Sequence, residues 1–181
     1  MMLTHRFTVS DYFRMAESGI LPRDGRVELI GGEIVDMSPI GPFHSGSVNK
    51  LARRFMGNEA GRWWVSIQAP LDLGEFDMPE PDVALLRPVD DCYTDAHPVA
   101  SDVLLLIEVS DSSLGFDQSV KVPLYAKHGI PEVWILNVPQ RQLKVYRIPQ
   151  AGAYQEKTVF RSGTVAPAEF PDAGIEVGEL V

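Results

Sequence analysis

Residues 103–109 read Val-Leu-Leu-Leu-Ile-Glu-Val, an apolar run into which a single carboxylate is set. Asp102 precedes the run, and the turn-forming series Ser110 to Gly115 follows it. The run therefore has the length of one strand. Because polar residues alternate on neither face, that strand is covered on both sides. Glu108 does not belong there as a bare ion, since carrying a carboxylate into a low-dielectric interior costs roughly several kcal/mol unless a partner charge, hydrogen bonds or a metal ion compensates.

The rest of the chain supplies elements to surround such a strand. Thr8 to Asp11 has the form of a capping box. Tyr12, Phe13, Met15 and Ala16 follow at helical spacing until Gly19, which marks a short opening helix. Residues 26–37 alternate around Gly31-Gly32, the pattern of a two-residue hairpin. After a loop over 38–47, Val48, Leu51, Ala52, Phe55 and Met56 form the apolar stripe of a helix ending near Gly57 or Gly61. Strands are expected over 62–69, 82–86 and 131–136, with a helix over 116–129 in which Pro123 delays the regular start or makes a kink. A second hairpin occupies the region around the Pro149 to Gly152 turn, and the tail beyond Gly163 ends loosely. The order points to one α/β (α+β) domain over 1–181, a central mixed sheet flanked by helices with added hairpins.

The formal net charge of −9 over 181 residues bears on partners, because general attraction to a phosphate backbone needs cationic surface. Acid concentrates between Asp72 and Asp95, where only Arg87 opposes it, a pattern usual for a solvated loop. Lys50, Arg53, Arg54 and Arg62 form the local counterweight, either a phosphate-facing patch or an ordinary surface helix. Cys92 is the only cysteine. An internal disulfide and a cysteine-rich zinc site are thereby excluded, and a reducing compartment, the cytoplasm, is the default. No apolar segment has the length of a membrane span, so no membrane association is expected.

Asp82 opens a strand after the rigid Pro79-Glu80-Pro81 stretch and could share a cation with Glu108. Two carboxylates, several waters and a substrate phosphate suffice for magnesium. Lys121 could point back over the end of the Glu108 strand and stabilise charge on a phosphoryl oxygen, and Glu28 could be a third acid. Each residue taken alone has a plainer role. Glu28 reads as an outward hairpin residue, Asp82 as a turn cap, Lys121 as the i+4 partner of Asp117, and Glu108 as a buried acid paired with an arginine or lysine.

The ordered set of Glu28 in "VELIGGEIV", His44 in "SPIGPFH", Asp82 in "PEPDV", Glu108 in "LLLIEVSDSS" and Lys121 in "DQSVKVPLYAKHGIPEVWIL" resembles the Uma-type family of restriction-endonuclease-like proteins, within the PD-(D/E)XK nuclease-like superfamily. The resemblance runs over residues 7–148. It implies a central mixed sheet flanked by helices and hydrolysis of nucleic acid, DNA in the first instance, at a Mg²⁺ or Mn²⁺ site. It also implies a homodimer, which an unpaired strand edge could form. Asp82 corresponds to the aspartate of the PD motif, Glu108 to the acid of (D/E)XK, and Glu28 to the early acid; together they would hold the metal. Ser110 stands where the superfamily has lysine, and Lys121 on the next helix would replace that charge. Asn137 and Val133 stand where the family often has aspartate and tyrosine. His44 would contact phosphate, act as an auxiliary acid-base group, or serve as a hydrogen-bonded structural residue. The competing reading is a nuclease-fold module that no longer cuts and serves nucleic-acid binding or protein assembly.

Overall fold

The computed structural model describes residues 4–22, 26–57 and 61–180. Its centre is a six-stranded sheet in the order β3-β4-β5-β6-β7-β8. These strands are Trp64–Ile67, Val83–Leu86, Val103–Ser110, Glu132–Asn137, Gln142–Gln150 and Ala153–Phe160. The apolar run becomes β5, an interior strand with every residue buried, antiparallel to β4 and parallel to β6. A parallel pair needs a crossover, and the helical segment from Leu114 to Lys127 provides it. The result is the mixed α/β architecture expected, and β5 has a layer on each face as its unbroken hydrophobicity requires.

The helix α2, Pro42–Met56, covers one face, with Val48, Leu51 and Phe55 packed on Leu105, Ile107, Val109 and Trp134. It begins inside the stretch read as a loop. Pro42 sits in its first turn, where a missing amide costs nothing, so His44 belongs to the helix rather than preceding it. The tail beyond Gly163 is also better ordered than its prolines and glycines suggest. β9 (Thr164–Val165) pairs with β10 (Ile175–Glu176), and α5 (Val177–Leu180) follows. Val165, Phe170, Ile175, Val177 and Leu180 are buried in the same core. Glu132 anchors this segment, accepting from Ala168 N at 2.7 Å and from Arg147 and Trp134.

On the opposite face the crossover is built in three pieces. A single turn, α3 (Leu114–Phe116), leads into a wide π turn, Asp117–Lys121, and then into α4, Val122–Lys127. Pro123 lies in the first turn of α4, so the irregularity foreseen there takes the form of a π turn rather than a kink. The hairpin β1–β2 (Val27–Ile30, Glu33–Asp36) turns through Gly31 and Gly32, whose φ values of 61° and 80° are the left-handed region a two-residue hairpin turn demands. The opening helix α1, Val9–Glu17, carries the capping box, with Thr8 Oγ1 accepting from Asp11 N. Leu29 of β1 bridges to Met78, which docks the hairpin against the chain leading into β4. Both faces of β1 are buried as a consequence, and Glu28, which alternation would place outward, is fully enclosed.

Candidate functional site

Antiparallel pairing of β4 and β5 sets Val83 opposite Ile107, so Asp82 and Glu108 leave the sheet at the same end. Both line one pocket, together with His44, Glu80, Asp111 and Asp117. Its free volume of about 50 Å³ admits one or two water-sized bodies.

Asp82 is held on three sides. His44 Nε2 lies 3.1 Å from Oδ2, Val109 N donates to Oδ2 at 2.8 Å, and Gln68 Nε2 donates to Oδ1 at 3.1 Å. Burial alone would raise its pKa, but these donors outweigh it and keep the carboxyl below its usual range. With Asp82 ionised, His44 donates to it through Nε2, and among the described residues its buried Nδ1 has no partner. Gln68 presents its amide from a left-handed backbone, φ 46°. That conformation is strained for a residue with a side chain, and local strain of this kind gathers at sites that need a fixed geometry.

Glu108 has a different environment. Lys121 Nζ donates to its Oε1 at 3.2 Å, and the Tyr125 hydroxyl donates to the same oxygen at 2.5 Å. Lys121 also donates to Glu28 Oε1 at 2.8 Å, and that oxygen accepts from Glu80 N. Among the described residues, Glu28 Oε2 is buried with no partner. The π turn explains this placement. Its extra residue, closed by Val122 N on Asp117 O, buries both Asp117 and Lys121. Lys121 then meets Glu28 and Glu108 instead of Asp117, whose Oδ2 accepts from Ser110 and Ser113 at 2.6 Å each.

Glu28, Asp82, Glu108 and Asp117 are all buried, and Lys121 is the buried ammonium among them. Charge of one sign is in excess. Burial first, and then repulsion from Asp82, Asp117 and Glu28, pushes the Glu108 carboxyl up to about 8 despite Lys121. Burial would lower Lys121, but the attraction of Glu108 and Glu28 prevails and raises it. Glu80, on the pocket wall, is also raised by burial and by Glu28.

The sequence candidates thus converge, but in two layers. Asp82, Glu108 and His44 face the pocket. Lys121 and Glu28 stand behind Glu108 and are absent from the wall, with the Lys121 ammonium bonded to both Glu28 and Glu108. Among the described residues no group of three His, Cys, Asp or Glu side chains could hold a metal by itself. Asp82 and Glu108 are the two sequence-predicted carboxylates that reach the pocket, and a cation held there would need water and substrate oxygens to complete its shell, a requirement magnesium tolerates better than zinc. The excess of buried carboxylate is what a divalent ion would neutralise.

Three participants escaped the sequence reading. Tyr125 lies four residues beyond Lys121, a spacing that puts the two on one helical face. Asp117 was weighed only as a helical ion-pair partner. Gln68 had no signal, because its contact depends on the path of the chain after β3.

Residues 9–178 match the model of a family, Uma2, described as "Putative restriction endonuclease". No curated protein matches the chain. Among solved structures, one described as a putative nuclease belonging to DUF820 from Anabaena variabilis superposes with a TM-score of 0.74 at 17% identity, covering 96% of this chain and 97% of that one. At that identity the likeness establishes the fold.

Proposed function

The chain belongs to the Uma2 family, and from that premise we propose that it is a metal-dependent endonuclease that hydrolyses phosphodiester bonds in DNA, with Asp82 and Glu108 as the metal-holding pair. One observation carries the proposal: among the described residues, four buried carboxylates converge against a single buried ammonium beside an open pocket, a cluster that is unfavourable without an additional positive charge. A bound Mg²⁺ or Mn²⁺ would supply that charge, lower the pKa of a water and shield the phosphoryl oxygens.

The chain's own residues do the positioning. His44, Gln68 and the Val109 amide fix Asp82 as an ionised, oriented carboxylate. Lys121 and Tyr125 hold Glu108 through Oε1, and the residue lines the pocket. Lys121 works through Glu108, because two carboxylates sequester its ammonium. His44, on the pocket wall and bonded to Asp82, orients that carboxylate from the helix side. The homodimer belongs to the same proposal: among the described residues β8 ends the sheet with its outer edge unpaired, and light scattering would show the doubled mass.

Supercoiled plasmid incubated with Mg²⁺ or Mn²⁺ tests the reading. Cleavage should occur with the native chain and fall by at least about 10²-fold in Asp82→Asn and Glu108→Gln. If either variant with intact secondary structure cuts at the native rate, the assignment is wrong. The non-cutting alternative draws on the same Glu108–Lys121 pair, which would then be a structural staple. It requires that no variant and no metal alter the plasmid.

A further inference from the structure

The exposed face of α2 and the turn before it carry features with no role in holding Asp82 or Glu108. Phe43, between the pocket residues Gly41 and His44, is 74% exposed. Ile40, on the pocket wall, is 38% exposed. Further along, Lys50 and Arg53 are exposed, and among the described residues neither has a carboxylate partner. Arg62 is different: it pairs with Asp172 at 2.9 Å and lies over Trp63 and Phe170. Arg54 donates to Gly174 O. The basic cluster seen in the sequence therefore divides into two residues committed to packing and two uncommitted cations. Those two border a surface groove of about 540 Å³, whose wall also includes Arg54 and one acid, Glu179.

We propose that this face of α2 is the track for a single-stranded stretch of DNA entering the pocket, with a base stacked on Phe43 and the following phosphates on Lys50 and Arg53. The proposal rests on the nuclease reading and adds where the strand lies and in what form. A solvent-facing phenyl ring beside the pocket is a ready stacking platform, and every base offers a π-face to lie on it. In a duplex those faces are occupied, so the base must come from an unpaired stretch. Unneutralised cations on a chain of net charge −9 answer the second requirement, a local attraction for phosphate that the whole molecule lacks. The spacing agrees. Phe43 and Arg53 are separated by about 15 Å along the helix at ~1.5 Å per residue, room for a short stretch of a few nucleotides. Between them Gly46 leaves open space, with nothing within 4 Å of where a Cβ would stand.

The test uses the full chain carrying Asp82→Asn, so that binding is measured without cleavage, and a short single-stranded DNA oligonucleotide bearing a fluorescent purine analogue. With Lys50→Ala and Arg53→Ala added, the slope of log K against log salt should fall by roughly 1.4, about 0.7 for each single-strand phosphate contact. With Phe43→Ala added instead, binding should weaken about tenfold and the fluorescence change on binding should disappear. All three positions are on the surface, and circular dichroism confirms the fold. An unchanged slope with an unchanged fluorescence signal, tighter binding of the matched duplex that is indifferent to Phe43→Ala, or no binding of the oligonucleotide overturns the proposal. Its failure is distinguishable from failure of the nuclease reading. Metal-dependent cleavage with an unaltered slope sinks the track alone, and Phe43-dependent binding without any cleavage by the native chain sinks the hydrolysis alone.

Discussion

Replacing Glu108 by Gln should stabilise the metal-free protein at alkaline pH, although it removes a buried charge from contact with a lysine. In the unfolded chain this carboxyl loses its proton near 4.5, and in the folded chain it holds it up to about 8. Between those values the native state binds more protons than the unfolded state, so stability falls as pH rises through the window. At about 1.4 kcal/mol per pH unit, the complete loss is on the order of 4–5 kcal/mol, reduced toward ~2 kcal/mol where the interior relaxes around the ion. Glutamine preserves the geometry, since its Oε1 accepts from Lys121 and Tyr125 as the carboxylate does, and Lys121 keeps its 2.8 Å contact with Glu28. Urea denaturation in chelator should give near-equal stabilities for the native chain and the variant at pH 5. At pH 8.5 the variant should be more stable by about 2–4 kcal/mol. A variant less stable than the native chain at pH 8.5 would show that Glu108 is an ordinary satisfied ion-pair partner and would refute the charge-excess argument.

Mn²⁺ affinity should rise about tenfold per pH unit below 8 and level off above it, because Glu108 must give up its proton to the ion; calorimetry in buffers of different ionisation enthalpy should count the proton released. Lys121→Met should destabilise the fold by about 3–5 kcal/mol at pH 8 by stranding Glu28 and Glu108, and by less at pH 5, where Glu108 is neutral, as read by denaturant melts at the two values. Tyr125→Phe deletes the donor at 2.5 Å from Glu108 and should cost about 1–2 kcal/mol in urea melts, with the metal-binding pH midpoint moved upward. Gly32→Ala should cost about 1–2 kcal/mol, because φ is 80° and the added Cβ would stand 2.7 Å from Arg6 Cβ; thermal melts should show it without any change in Mn²⁺ affinity at saturating pH.

What could be read from the residues in advance divides along a physical line. The position of β5 followed from its unbroken apolar run, the hairpin from Gly31-Gly32, and the need for a partner at Glu108 from the cost of burying charge. These are properties of short segments. The enclosure of Glu28 depended on Leu29 docking against Met78, a contact that alternation within the hairpin does not encode. The early start of α2 was hidden because Ser-Pro-Ile-Gly-Pro is turn chemistry in isolation, whereas Pro42 is a good first-turn residue once a helix packs behind it. The same limit applies to Lys121. Its separation from Asp117 suits an i+4 ion pair, and only the π turn, a departure from regular periodicity, turns it toward Glu28 and Glu108. The tail illustrates tertiary override again, since Glu132 and the core around Trp63 and Phe170 order a segment whose composition reads as loose.

The account depends above all on Asp82 and Glu108 sharing one cation in the pocket they line. Crystals of the native chain soaked in Mn²⁺ above pH 8, with data collected at a wavelength where manganese scatters anomalously, measure this directly. A single anomalous peak within about 2.5 Å of an oxygen of each carboxylate, absent in Asp82→Asn, is the result the account predicts. An empty pocket with Glu108 still closed on Lys121 and Tyr125 at saturating Mn²⁺ would contradict it.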